Sequence, residues 1–355
     1  MPSSRVLAAA AASAVVLLLL SACNRSSAPP ASGLRVFVSD ETGTEVVVVD
    51  PIAATVLQRI AIGKRPRGIK LSPDASRLFV ALSGSPIGGP GVDESKLPPA
   101  DRAADGIGVI DVASGSVIRK YKSGQDPESF AISNDGRTLF VSNEDEGALS
   151  VLDLDTGNVK ASVKVGEEPE GVTVRPDGKA VYVTSEGDGV VTAIDTTSLQ
   201  VIARITTGPR PRSIAFTKDG AIGVVTNENA GTLTVFETAS HTVKTTIQIP
   251  KIEGAPTAPR PMGQVVSPDG GRLFVSLGRA KAIAVVDTAA LAVVGTIADV
   301  GARPWGIGIS PDGTKLYTAN GPSGDVSIVD VASSKVDARV KVGGSPWGIA
   351  VAAPK

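Results

Sequence analysis

From residue 34 onward the chain is written in short blocks where valine, isoleucine, leucine and alanine crowd out or alternate with polar residues. Each block is closed by Gly, Pro, Asp, Asn or Ser. LRVFVSDE (34–41), TEVVVVD (44–50) and TVLQRIAIG (55–63) open the series. Short runs of this composition between turn residues predict β-strands.

The blocks recur as a unit, read most plainly in RPWGIGISPDGTKLYTAN (303–320) followed by GDVSIVD (324–330). Seven variants align on Pro66, Pro127, Pro169, Pro211, Pro261, Pro304 and Pro346, with successive gaps of 61, 42, 42, 50, 43 and 42 residues. A period near 42 means stacked or radial supersecondary units, none of which buries its apolar face alone. Each unit reads as four strands, exemplified by GIKLS (68–72), LYTAN (316–320), VSIVD (326–330) and KVDARVKVG (335–343). The first three blocks lack the strand that follows the proline elsewhere, and SPWGIAVA (345–352) is that strand with nothing after it. If the two pieces share one sheet, the ring closes and no long sheet edge is left over. The expectation is an all-β, seven-bladed β-propeller over 34–351, with four-stranded antiparallel blades and one blade shared between the termini.

Between the first two strands of a unit lies SPDG or a close relative, at 72–75, 133–136, 175–178, 217–220, 267–270 and 310–313. Proline second and glycine fourth fit a type I turn, so these aspartates are turn residues. Asp50, Asp111, Asp153, Asp195, Glu237, Asp287 and Asp330 close the third strands, where a carboxylate accepts local backbone N–H groups and holds the hairpin.

Composition narrows the classes of function. Asp and Glu (36) nearly cancel Lys and Arg (35), and no basic stripe is interleaved with aromatics, which argues against nucleic acid as partner. The single histidine, His241, falls in a turn expected on the far face, so a haem ligand, a His-rich metal site and a Ser-His-Asp triad at the near face are excluded by count. No phosphate-binding glycine loop or nucleophile elbow is present. Aromatics make up only 3% of the chain, which makes their positions informative.

Arg5 precedes an apolar run from Val6 to Leu20 interrupted only by Ser13, the length of a signal-peptide core and short for a bilayer span. Leu20-Ser21-Ala22-Cys23 resembles the bacterial lipoprotein cleavage box, which implies a signal peptide over 1–22 and acylation of Cys23, the one cysteine, as a membrane anchor. With Asn24 and no aspartate after the cysteine, the resemblance leans to the outer membrane, facing the periplasm. The remainder of 23–33, small and polar with two prolines, reads as a tether.

The units resemble the YVTN family of β-propeller repeats. The order RPRG (65–68), DPESFAIS (126–133), EPEG (168–171), RPRSIAFTKDG (210–220) and two PWG units (304–306, 346–348) is similar to one subfamily of seven-repeat propellers associated with pyrroloquinoline-quinone-dependent alcohol catabolism. That resemblance implies an accessory periplasmic setting and no direct binding of the quinone.

Two insertions, 84–105 and 250–259, enlarge loops expected on the same face of the disc. That face is the expected site for a small molecule or a periplasmic protein. The residue after each aligned proline begins the innermost strand and should point to the channel mouth: Arg67, Glu128, Glu170, Arg212, Met262, Trp305 and Trp347. Before the prolines stand Arg65, Asp126, Glu168, Arg210, Arg260, Arg303 and Ser345. Glu41, Ser83, Glu144, Glu186, Glu228, Gly278 and Gly321 follow the second strands.

Several readings remain open. Met262, Trp305 and Trp347 plug the channel with Arg67 stacked on Trp347, or they form a flat wall for an aromatic, quinone-like or sugar ring. The charges form exposed salt bridges of little stabilising value, or the acids gather a hard cation such as calcium, although no calcium-loop spacing is present and no other cofactor is implied. The favoured function is a non-enzymatic binding or scaffold propeller. The rivals are a lactonase-like hydrolase, with Glu128, Glu170, Arg67 and Arg212 as base and oxyanion stabiliser, and a purely structural envelope protein.

Overall fold

The computed structural model describes residues 33–88 and 92–353; the expected signal peptide, Cys23 and nearly all of the expected tether lie outside the described residues. The described chain forms 28 strands arranged in seven four-stranded antiparallel sheets. The chain is thus a seven-bladed β-propeller. The shared blade orders as β28 (Pro346–Ala352), β1 (Arg35–Asp40), β2 (Glu45–Asp50) and β3 (Thr55–Ala61). Blade 1 comprises β4 (Pro66–Leu71), β5 (Arg77–Leu82), β6 (Gly106–Asp111) and β7 (Ser116–Tyr121). Blades 2 to 6 follow in fours, opening on β8 (Pro127–Ile132), β12 (Pro169–Val174), β16 (Pro211–Phe216), β20 (Pro261–Val266) and β24 (Pro304–Ile309).

An apolar cluster fills each junction between neighbouring blades. The sparse aromatics are placed accordingly. Phe37, Phe79, Phe140, Tyr182, Phe274 and Tyr317 occupy one equivalent position on the second strands of six blades, all within 2% of full burial. Flat rings at that point bring large buried area to a junction otherwise built of Val, Ile, Leu and Ala.

Two features fix the inner rim. Each innermost strand shifts register immediately after its proline, as between Pro66 and Ile69 or Pro304 and Ile307. Such a bulge leaves the next residue out of the ladder and re-aims its side chain, here toward the mouth. The backbone carbonyl of that residue then receives a hydroxyl from the preceding blade: Ser39 Oγ donates to Arg67 O at 2.6 Å and Ser142 Oγ to Glu170 O at 2.7 Å. Thr226 Oγ1 donates to Met262 O and Ser276 Oγ to Trp305 O, each at 2.8 Å, and Thr184 Oγ1 to Arg212 O at 3.1 Å. These hydroxyls stand at the threonine position of the YVTN-like quartet. Ala81 and Ala319 replace them in blades 1 and 6. A small residue two places after the proline lets the blades close up: a Cβ on Gly171 would lie 2.1 Å from Arg212 O, and one on Gly306 2.5 Å from Trp347 O.

The turn aspartates behave as expected. Asp312 accepts from Thr314 N at 3.0 Å, and Asp330 accepts from Ser333 N at 2.7 Å. Ring closure rests on β1–β28 pairing, reinforced by Asp40, which accepts from Ser345 N at 2.7 Å, and by Ser39 Oγ, which accepts from Gly348 N at 2.9 Å. Removing 345–355 opens the ring, exposes the β1 edge and uncovers the clusters on both sides of the shared blade. The expected result in calorimetry is loss of the cooperative transition; an unchanged melting curve would show that closure contributes nothing.

Candidate functional site

The mouth is organised by two buried guanidiniums. Arg67, 2% exposed, leans forward from blade 1 onto Asp126 and Glu128 of blade 2, with Glu144 at 3.3 Å and Pro127 O accepting from Nη2 at 2.9 Å. Its Nε finds no acceptor among the described residues. Arg212, 7% exposed, leans back from blade 4 onto Glu170 and Glu186 of blade 3 and onto Glu228 at 2.8 Å. The acidic blades 2 and 3 are therefore clasped between one arginine on each side. Two of the glutamates have further cationic contacts: Arg210 pairs with Glu186 and lies 3.5 Å from Glu228, and Arg260 lies 3.6 Å from Glu228 while donating to Asn229. Glu41 of the shared blade holds Arg65 at 2.8 Å.

Each guanidinium faces three carboxyl groups; Arg210 and Arg260 offset those around Arg212, whereas the three around Arg67 repel one another. Desolvation pushes Glu128 up to about 8 despite the attraction of Arg67, with Glu144 and Asp126 adding repulsion. Desolvation raises Glu144 and Glu186 too. For Asp126 burial acts upward, but Arg67 and the Ser83 hydroxyl outweigh it and hold it below the usual carboxylate range. A proton on Glu128 relieves the surplus negative charge around Arg67.

Two expectations need correction. Arg67 does not stack on Trp347; the blade 2 carboxylates capture it, because charge-assisted hydrogen bonds at a buried site outweigh a ring face. The ion pairs at Arg67 and Arg212 are buried and not exposed. Glu128 and Glu170, the base candidates of the lactonase reading, are both engaged by arginine. Among the described residues no group of three or more His, Cys, Asp or Glu is arranged to hold a metal ion, since the mouth acids surround guanidiniums.

The opposite sector is aromatic and basic. Trp305 and Trp347, both partly buried, lie with ring centroids 5.7 Å apart at 38°. Met262 is buried beside them on β20. The guanidinium of Arg303 lies 4.5 Å from the Trp305 ring centroid, and that of Arg212 5.1 Å from it. Arg303 makes no ion pair among the described residues; burial, with Arg212 and Arg279 nearby, lowers its pKa despite Glu228. Five residues immediately before the prolines, Arg65, Asp126, Glu168, Arg210 and Arg303, adopt positive φ between 40° and 59°. Backbone of that kind in non-glycine residues costs energy and persists where the surroundings impose it.

The inserted loop 84–105 is stitched to this face. Arg65 Nη1 donates to Ser85 O at 3.1 Å, Asp105 accepts from Asp126 N at 3.3 Å, and Arg102 bridges Asp105 and Asp145. The second insertion packs Ile252 and Ala255 against the junction of blades 4 and 5. Three residues of consequence escaped the sequence reading: Arg279, in the turn after the second strand of blade 5, Asp105, hidden in the insertion, and Lys70, inside a strand.

Fold and repeats together define a seven-bladed β-propeller. The model of the YNCE-like beta-propeller family matches residues 97–221. The YncE protein of Salmonella typhimurium strain LT2 is 28% identical over 111 residues, 31% of this chain and 26% of that protein, so the match spans about a quarter of the curated relative. Among solved structures, the Pseudomonas aeruginosa periplasmic gluconolactonase PpgL superposes with a TM-score of 0.73 at 21% identity, over 91% of this chain and all (100%) of that one. Kuenenia stuttgartiensis hydrazine synthase gives 0.70 at 22%, over 83% and 92%. At these identities the structural likeness speaks for the fold alone.

Replacing Arg67 by methionine strands the buried carboxyl groups of Asp126 and Glu128 and the partly buried one of Glu144, and is expected to cost about 3–5 kcal/mol in urea unfolding. In the native chain Glu128 has a folded pKa above its unfolded value, so its contribution is complete below about 4.5 and lost as pH rises through about 8. Glu128→Gln should flatten the decline in stability between pH 5 and 8.5; an unchanged slope would place the titration elsewhere.

Proposed function

We propose that the chain is an exported binding propeller whose mouth takes a small molecule with a flat or ring-shaped body and an anionic group. The observation that supports this most is Arg303 lying over Trp305 without a carboxylate partner among the described residues, while Arg67 and Arg212 are consumed by acids. The ring of such a ligand would lie on Trp305 and Trp347, and its anionic group would meet Arg303 and the exposed Arg279. Acids of blades 2 to 4 would repel a ligand bound the other way round, so the mouth orients what it binds.

Setting is part of the same reading. The Leu20–Cys23 box supports a lipid anchor in the outer membrane facing the periplasm, and the repeat order supports an accessory place in quinone-dependent alcohol oxidation. A second reading, hydrolysis of a sugar lactone, draws support from the raised pKa of Glu128, a property suited to proton transfer at neutral pH. It requires Glu128 or Glu170 to leave its arginine when substrate enters.

Both tryptophans of the chain stand at the mouth, so intrinsic fluorescence reports this site directly. Titration with benzoate and gluconate is expected to quench or shift the emission, with neutral benzyl alcohol and glucose much weaker. Arg303→Ala should weaken anion binding about tenfold, near 1.4 kcal/mol, with an unchanged melting temperature. Equal response to charged and neutral probes would defeat the proposal, and steady hydrolysis of gluconolactone abolished by Glu128→Gln would favour the second reading. For the anchor, Cys23→Ser is expected to move the protein from the membrane fraction to the soluble periplasm.

A further inference from the structure

Below the mouth ring, the innermost strands β4, β8, β12, β16, β20, β24 and β28 carry one charged side chain, Lys70 on β4. It stands four residues past Pro66, toward the face opposite the insertions. Its amine reaches past β8 of blade 2 and donates to Val172 O on β12 of blade 3, at 2.9 Å. Lys70 thus spans two blade positions inside the central channel. Among the described residues no carboxylate pairs with it and no charged neighbour acts on it in either direction; burial alone lowers its pKa to about 8. Yet the side chain is only partly buried, as is Thr173 on the far wall, so the channel admits solvent here.

A lysine without a counter-ion in an apolar wall is held partly as the free amine, the form that attacks carbonyl carbon. An ordinary structural lysine would face a carboxylate or snorkel to bulk water. From this placement we infer that Lys70 is a covalent capture site in the channel for small aldehydes or ketones, distinct from the mouth. The amine nitrogen adds to the carbonyl carbon to give a carbinolamine, which loses the former carbonyl oxygen as water and leaves a C=N bond. No oxidant or reductant is needed, and hydrolysis reverses the step. The backbone carbonyl of Val172 holds the amine in place through one N–H at 2.9 Å, and the lone pair of the free amine is the nucleophile.

The test is reductive trapping on the full chain at pH 7, with limiting propionaldehyde and cyanoborohydride, followed by peptide mapping. Lys70 is expected to be alkylated at least about tenfold faster than the exposed Lys251 and Lys335, because a far larger fraction of it is unprotonated. The preference should vanish in guanidinium chloride. Lys70→Arg retains a donor for Val172 O and should melt as the native chain does while losing the fast adduct. Labelling of Lys70 at or below the rate of Lys251, or a fast adduct that survives Lys70→Arg, would overturn the inference.

Discussion

The carbonyl of the residue after each proline is the hinge on which the ring turns. In five blades it accepts a serine or threonine hydroxyl from the preceding blade. The same residue is the one expelled from the ladder by the bulge. One peptide unit therefore sets blade spacing through its oxygen and furnishes the mouth through its side chain. The main-chain half is nearly uniform around the ring, which frees the side-chain half to vary. A propeller built this way changes its recognition surface without altering its radius.

That freedom is used asymmetrically. Blades 2 and 3 place carboxyl groups where blades 5, 6 and the shared blade place Met262, Trp305 and Trp347. The acids close on themselves through Arg67 and Arg212 because an unpaired charge at that depth is costly. Arg212 is the point where the sectors meet, bonded to three glutamates and lying 5.1 Å from the Trp305 ring centroid. The acidic side is thereby tied to its own arginines, and the aromatic side keeps cationic capacity to spare in Arg303.

Repeat period and turn chemistry carried the fold into plain view, because each unit repeats one solution to burying two faces of a sheet. Placement at the mouth was legible for the same reason, since the bulge recurs at every proline. Pairing was not. Whether Arg67 turns toward Trp347 or toward Glu128 depends on ring radius and on which neighbour offers charge at hydrogen-bonding distance, neither of which is written in a local pattern. Lys70 was hidden for a related reason. Within GIKLS it reads as the polar member of an alternating strand, and only the curvature of seven blades brings it opposite Val172, 102 residues away.

The shared blade also carries a consequence in time. Ser39 on β1 meets Gly348 on β28 across 309 residues of chain. At a synthesis rate of about 5–20 residues per second, β1 waits roughly 15–60 s for its partner strand to exist. Throughout that interval the edge of β1 that β28 will cover stands unpaired beside a growing nascent chain. A molecule of this design is therefore obliged either to stay in the company of a holding chaperone or to postpone folding until the whole repeat array is on one side of a membrane, which is the order of events that export of an unfolded chain imposes.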